Sequence, residues 1–159
     1  MAKKTVIGID PGSQHTGFGV VSYDSGRFHL ETCGVIHTKE DGPDFSKRLI
    51  KIYHELVKVI QTAAPIEAAI EQVFVSKNPQ SALKLGQARG VAIAACAAYN
   101  LPVFDYAPTK VKSAVVGLGH APKEQVAFMV KQTLKIKEAD WALDTSDALG
   151  VAICHLLLS

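Results

Sequence analysis

The chain has 159 residues, of which 48% are hydrophobic and 20% charged, and its formal net charge is +2. This composition excludes a disordered chain and predicts one globular domain over residues 1–159. No apolar run approaches the ~20 residues of a membrane span, and the N-terminus lacks the pattern of a signal peptide, so we expect a cytoplasmic protein with no membrane contact. Three widely spaced cysteines without a CxxC pair argue against disulfides and zinc.

The predicted elements, in chain order, are typical of a mixed α/β sheet. Strands are predicted over 5–9, 17–23, 27–37, 68–73 and 102–106, helices over 45–63, 81–99, 123–134 and 145–158, and a short helical segment from Pro108. The hairpin signal at 24–26 makes the first three strands an antiparallel meander. The later strands alternate with helices, which predicts parallel crossovers in a five-stranded sheet with helices on both faces.

Four acids stand where these elements end or begin. Asp10 closes the first strand in GIDPGS, Glu71 closes the fourth in AAIEQVF, and Asp144 and Asp147 begin the last helix in LDTSDAL. Carboxylates that converge repel one another, and divalent cations relieve that repulsion. Because these are hard oxygen ligands with no His or Cys among them, we expect Mg²⁺ or Mn²⁺. Two ions ~3.5–4 Å apart would clamp a phosphodiester.

Each acid also has a plainer interpretation. Asp10 can be a turn residue, Glu71 a surface acid at a strand end, and Asp147 an exposed acid favoured by the helix dipole. If the helix starts near Thr145, Asp144 or Ser146 can be its N-cap. The glycines around Asp10 are expected to give a tight exit from the strand.

Two further patterns point to partners. Residues 73–135 hold eight Lys or Arg against two acids, a net +6, while the rest of the chain carries −4. This stretch is either a solvated surface or a face that binds a polyanion. In the helix over 81–99, small residues recur every fourth position, at Ala82, Gly86, Gly90, Ala94 and Ala98. Such a ridge lets another backbone approach closely, either the chain's own sheet or a second subunit.

Three blocks of the sequence, GIDPGSQHTGFGV, AAIEQVFVSKNPQSALKLGQARGVAI and DTSDALGVAICH, resemble the RuvC family of Holliday-junction resolvases. They follow the order and spacing of that family over nearly the whole chain. The resemblance implies an RNase H-like fold and a homodimer that nicks four-way DNA junctions in symmetric pairs during recombination and repair, leaving 5′-phosphate and 3′-hydroxyl ends. It implies two Mg²⁺ ions per active site, for which Mn²⁺ can substitute, and a branch-migration motor of the RuvA–RuvB type as partner.

The resemblance also implies residue roles. Asp10, Glu71, Asp144 and Asp147 would be catalytic and metal-binding, and the glycines near Asp10 would leave room for a DNA backbone. The third acid varies in type among relatives, so Asp144 is either a ligand or a nearby base, and Asp140 is set aside because its spacing to DALGVA is wrong. The resemblance implies contacts with DNA for Phe74, Lys77, Lys84, Arg89, Lys112 and Lys123. It assigns the ridge of Ala82, Gly86, Gly90 and Ala94 to the dimer interface.

Three other functions compete with this interpretation. The opening stretch also resembles the first phosphate motif of the actin, Hsp70 and sugar-kinase ATPases, but those proteins need two such domains and 159 residues hold one. A single-domain nuclease for RNA or other structured nucleic acid is a second alternative. A junction-binding module without catalysis is the third, although a pure binder gains nothing from four carboxylates beside phosphates.

Overall fold

A five-stranded mixed sheet forms the centre of the molecule. The structure is a computed structural model that describes residues 2–72, 78–137 and 140–159. The strands are β1 (Lys4–Asp10), β2 (His15–Asp24), β3 (Arg27–His37), β4 (Glu67–Glu71) and β5 (Val103–Tyr106). The helices found in those ranges are α1 (Phe45–Ala63), α2 (Pro79–Ala97), α3 (Pro108–Val116), α4 (Lys123–Leu134) and α5 (Leu143–Leu158), with a short 3₁₀ turn at Lys39–Asp41. Within them, no helix has the length and apolar character needed to cross a membrane.

The sheet has the order β3-β2-β1-β4-β5. The pairs β1–β2 and β2–β3 are antiparallel, and the pairs β1–β4 and β4–β5 are parallel. The predicted meander and crossover units are therefore confirmed. Parallel pairing of β1 with β4 brings their carboxyl ends to one edge of the sheet, which places Asp10 and Glu71 side by side.

The two faces of the sheet are covered by different helices. Ile7 and Ile9 of β1 pack with α1 and α2, whereas Val6 packs with α3, α4 and α5. Because side chains alternate along a strand, Asp10 lies on the same face as Val6, towards α5. Ala69 of β4 packs on that face too, so Glu71, two residues further along, also faces α5.

Helix α5 lies directly against β1 and β2 because glycines leave space for its backbone. A Cβ at Gly8 would collide with the carbonyl of Ala148, and one at Gly17 with the carbonyl of Asp144. The expectation that the glycines near Asp10 make room for DNA is wrong at these two positions, since α5 occupies the space. Their role is to let the helix that carries two of the acids sit against the end of β1.

The main departures from the predicted boundaries are at strand and helix ends. β4 spans Glu67–Glu71 rather than 68–73, and Val73 lies outside the described residues. α5 begins at Leu143, with Ala142 at the N-cap position and no side chain capping it. The interpretation of Asp144 or Ser146 as the cap is therefore wrong. Asp144 lies in the first turn, and the Ser146 hydroxyl instead accepts a hydrogen bond from Trp141 Nε1 at 2.7 Å.

Candidate active site

Three of the four acids form a compact cluster. One carboxylate oxygen from each of Asp10, Asp144 and Asp147 lies within 4.8 Å of the others. Asp144 and Asp147 are neighbours on α5 because residues three apart share a helix face. The close approach of Gly17 to the first turn of α5 brings both beside the last residue of β1. All three side chains are partly buried.

Glu71 joins the cluster from the neighbouring strand. It lines a cavity of about 290 Å³ together with Asp10 and Asp147. The same cavity is lined by Lys112 of α3 and Lys123 of α4. The described structure thus brings the four acids together from β1, β4 and α5, as predicted. Gln72, which follows Glu71 directly, also lines the cavity and was not singled out from the sequence, where a glutamine carries no sign of its surroundings.

The carboxylates of the cluster are like charges that lie close together in a partly buried, poorly hydrated site. Burial, followed by repulsion from Glu71, raises the pKa of Asp10 to about 8. Burial, followed by repulsion from Asp147, raises the pKa of Glu71 to about 7. Burial also raises the pKa of Asp147, against the opposing charge of Lys123. Asp10 and Glu71 therefore resist full ionisation near neutral pH unless positive charge is added.

The donor set fits a hard divalent cation. Carboxylate oxygens on a short spacing are the ligands of Mg²⁺ and Mn²⁺, and no His or Cys belongs to the cluster in the described residues. Asp10, Asp144 and Asp147 would hold such an ion, and Glu71 faces the same cavity from β4. A cation there would remove the repulsion that raises the carboxylate pKa values.

Two lysines stand at the edge of the cluster. Lys123 Nζ lies 3.5 Å from Asp147 Oδ2, and its side chain is 63% exposed. The charge of Asp147 is the main cause that raises the pKa of Lys123. Lys112 is partly buried in the cavity wall. Both predicted basic residues are thus positioned where a phosphate approaching the acids would meet a positive charge.

The other predicted DNA-binding residues have mixed positions. Phe74 and Lys77 lie outside the described residues. Lys84 is exposed, with Nζ 5.6 Å from the ring centroid of Phe45. Arg89 forms an ion pair with Asp105, so a phosphate would compete with this carboxylate for the guanidinium.

The small-residue ridge of α2 faces away from the chain's own sheet. Gly86 and Gly90 are exposed, and an added Cβ at either would meet no atom within 4 Å. Ala94 is exposed as well, and Ala82 is partly buried. The opposite side of α2 packs in the core through Ala88, Ala92, Ala95 and Cys96. The alternative that the ridge packs on the chain's own sheet is therefore wrong. The ridge borders an apolar groove of about 350 Å³ between α1 and α2.

Comparison with known proteins identifies the family. The family model described as crossover junction endodeoxyribonuclease RuvC matches residues 6–155. The chain belongs to the RuvC family. RuvC of Oleidesulfovibrio alaskensis is 56% identical over 152 residues, covering 96% of this chain and 90% of the relative. RuvC of Geobacter sulfurreducens is 51% identical over 150 residues, covering 94% of this chain and 90% of the relative.

Solved structures of the RuvC family have the same fold. Thermus thermophilus RuvC in complex with Holliday junction substrate superposes with a TM-score of 0.90 at 35% identity, covering 98% of this chain and 94% of that one. The yeast mitochondrial Holliday junction resolvase Ydc2 has a TM-score of 0.68 at 17% identity, covering 96% and 77%, and supports the fold alone. The predicted RNase H-like fold is confirmed. As a RuvC family member, the chain is an endodeoxyribonuclease, an enzyme that hydrolyses phosphodiester bonds of DNA.

Proposed function

We propose that the chain resolves four-way DNA junctions by paired symmetric nicks that require a divalent metal and leave 5′-phosphate and 3′-hydroxyl ends. The observation that carries the proposal is the convergence of Asp10, Glu71, Asp144 and Asp147 beside two lysines. The chain belongs to a family of crossover junction nucleases, and this membership supports four-way DNA junctions as its substrate class. The proposal takes residues 1–159 as one domain that acts in the cytoplasm with a RuvA–RuvB-type motor.

The roles of the acids follow from their positions. Asp10, Glu71 and Asp147 would hold two Mg²⁺ ions, for which Mn²⁺ can substitute, and Asp144, whose carboxylate lies within 4.8 Å of those of Asp10 and Asp147, would be a further ligand or a nearby base. Bound ions supply activation of water and stabilisation of charge on the leaving oxygen. The carboxylates define where the phosphate can bind, because Asp10 of β1, Glu71 of β4 and Asp147 of α5 line the same cavity.

The lysines bind and orient the scissile phosphate. Lys123 pairs with Asp147 across 3.5 Å, a distance at which a phosphate oxygen can compete for the ammonium. Lys112 of α3 lines the same cavity. Phe74, Lys77, Lys84 and Arg89 extend the proposed DNA contact beyond the cavity, so junction binding should weaken steeply as salt rises.

A homodimer supplies the second active site that paired nicks require. The ridge of Ala82, Gly86, Gly90 and Ala94 and the adjacent apolar groove offer a continuous surface for a second copy. Gly90→Leu should give monomers in sedimentation because a large side chain on the ridge blocks close approach. Glu124→Leu, on α4 across the sheet, is the matched control and should stay dimeric. A dimer that survives Gly90→Leu would remove the ridge from the interface.

The decisive experiment compares substrates in the presence of Mg²⁺. A synthetic mobile four-way junction should receive two symmetric nicks, while linear duplex and an RNA–DNA hybrid of the same sequence stay intact. The nicked products should be sealed by a DNA ligase, which requires a 5′-phosphate and a 3′-hydroxyl. Equal cutting of the hybrid would overturn the junction specificity, and tight junction binding without cleavage would favour the binding module. Nucleotide binding in calorimetry would favour the ATPase alternative.

A further inference from the structure

A chain of polar side chains runs from the ends of β1 and β4 opposite the acids, at Lys4 and Glu67, through His155 to Tyr106, whose backbone is in register with Glu71. His155 Nε2 lies 2.9 Å from Glu67 Oε1, and His155 Nδ1 lies 2.6 Å from the hydroxyl of Tyr106. The same Glu67 oxygen lies 2.7 Å from Lys4 Nζ. The ring of Phe104 stacks on the His155 ring with centroids 4.5 Å apart. This far-end chain of Lys4, Glu67, His155 and Tyr106 has no role in the chemistry described above.

The hydrogen bonds of His155 are mutually consistent. Its side chain is 2% exposed, so both ring nitrogens need partners within the protein. Glu67 as a carboxylate can only accept, so Nε2 carries the hydrogen and donates it. In the neutral ring Nδ1 then accepts from the Tyr106 hydroxyl. A ring held by two hydrogen bonds and a stacked aromatic has one orientation and one position along the sheet.

The far-end chain joins the same elements that carry the acids. Lys4 and Asp10 are the first and last residues of β1, and Glu67 and Glu71 are the first and last of β4. On α5, His155 lies eight residues beyond Asp147, which is ~12 Å along the helix axis. Each strand that holds an acid at one end is therefore tied to α5 at the other.

Close packing holds α5 against the strands but has no hydrogen-bond direction of its own. Gly8 of β1 packs against Ala148 and Ala152, and Gly19 of β2 packs against Leu149. Such tight contacts resist large slides of the helix, and hydrogen bonds add the directional constraint that apolar contacts lack. Hydrogen bonds lose strength over a few tenths of an ångström and over modest angles. The two bonds of His155 are the directional contacts that link the buried length of α5 to β4 and β5 in the described residues.

We propose that His155 is a positioning residue that sets the place of α5 along the sheet, and so the spacing of Asp144 and Asp147 from Asp10 and Glu71. The inference rests on the proposed metal-dependent function. Mg²⁺ demands near-ideal octahedral geometry at ~2.0–2.1 Å, so a small displacement of two ligands weakens binding more than it weakens the fold. Tyr106 and Glu67 act through the same ring, and Lys4 holds Glu67 in place.

The test measures metal binding without cleavage. Trp141 is the only tryptophan of the sequence, and its indole donates to Ser146 between the two helical acids, so its fluorescence reports on this end of α5. Titration of the metal-free protein with Mg²⁺ and with Mn²⁺, by fluorescence and calorimetry, gives the affinity. His155→Leu should weaken binding about tenfold, at the lower end of the range known for residues that orient metal ligands.

Three further variants separate positioning from general destabilisation. Ile153→Val, two residues away on α5 and fully buried, is the matched control and should lower the melting temperature without changing metal affinity. Tyr106→Phe removes one bond of the ring and should give part of the His155→Leu effect. His155→Gln, whose amide can still donate to Glu67, should restore part of the affinity. If His155→Leu does not fold, the metal affinity of His155→Gln still tests the proposal.

The outcomes distinguish this inference from the proposed function. Metal affinity of His155→Leu and His155→Gln equal to that of Ile153→Val would overturn the positioning role and leave the metal centre standing. A wild-type chain that binds neither ion would overturn the proposed function and this inference together. Weakened metal binding in His155→Leu, with junction affinity in the absence of metal unchanged, supports the inference.

Discussion

Charged side chains are arranged in opposite ways at the two ends of β1, β4 and α5. At the active-site end, Asp10, Glu71 and Asp147 place like charges together, with Lys123 as a partly exposed partner. At the far end, charges of opposite sign meet, and Glu67 takes hydrogen bonds from a lysine and a histidine. The same three elements therefore combine a repulsive cluster of acids at one end with paired, hydrogen-bonded charges at the other.

The contrast is visible in the proton equilibria of two acids. Asp10, the last residue of β1, has a pKa raised to about 8, with burial as the largest cause. Burial also acts to raise the pKa of Glu67, but the hydrogen bonds from Lys4 and His155 outweigh it, and the pKa is lowered. Charge therefore destabilises the fold at the first position and stabilises it at the second.

The largest expected effect comes from removing a charge at the active-site end. Asp10→Asn should lower the rate of junction cleavage by at least ~10²–10³-fold, the order seen when one group that stabilises the transition state is lost. Junction binding should persist, because phosphate contacts by lysines supply most of the affinity. Single-turnover cleavage and gel-shift titration measure the two properties. Asp140→Asn, an exposed acid nearby in sequence, is the control and should cleave normally.

A smaller loss of cleavage activity is expected when the lysine charge at the active-site end is removed. Lys123→Met should reduce cleavage about 10–100-fold, less than a buried donor would, since the side chain is 63% exposed. Lys51→Met, which removes an exposed lysine paired with Asp41, is the matched control. Equal cleavage by both variants would separate Lys123 from the reacting phosphate.

The metal-free protein should lose stability as pH rises. The folded-state pKa values of Asp10 and Glu71, about 8 and about 7, lie above their ordinary values of 3.8 and 4.5. Protonation of these two carboxyl groups in the folded state therefore contributes stability to the fold. This contribution is fully present below pH ~4 and is lost as pH rises through ~8. Between pH 5 and pH 9, the free energy of unfolding measured in denaturant should fall by at least ~1 kcal/mol from these two groups.

Two variants show whether the acids cause this pH dependence. Asp10→Asn should flatten the decline and be more stable than the wild type at pH 9, because it removes the ionising group. Saturating Mg²⁺ should also flatten the decline, since the cation stabilises the ionised forms. A wild-type profile that does not change when Asp10 is replaced would assign the decline to other groups.

The smallest expected effect is at the far end. Lys4→Met removes the 2.7 Å pair with Glu67 and should lower the free energy of unfolding by about 0.5–1 kcal/mol, as for other partly exposed pairs. Lys3→Met, which breaks a more exposed pair with Glu31, should cost less. Cleavage at saturating Mg²⁺ should stay within about twofold for both, because neither lysine contacts His155 or the four acids of the active site directly.

Much of the fold could be predicted because the signals are local. The turn signal at 24–26 and the 3.6-residue period predicted β3, α1 and α4 with the bounds that the structure has. Asp10 and Glu71 could be predicted to meet, because carboxyl ends of parallel strands share an edge. The start of α5 was misplaced by two residues because the sequence offered Thr145 and Ser146 as signals, while Ser146 in fact bonds to Trp141.

The sequence alone predicted most of the secondary structure, the strand or helix that carries each acid, and the residue types of a hard-cation site. It could not determine that Gly8 and Gly17 admit α5 rather than DNA, because a glycine does not reveal what fills the space beside it. Nor could it pair His155 with Glu67, 88 positions away. That bond depends on the register between strands and the depth of a helix, which arise only when distant segments pack together.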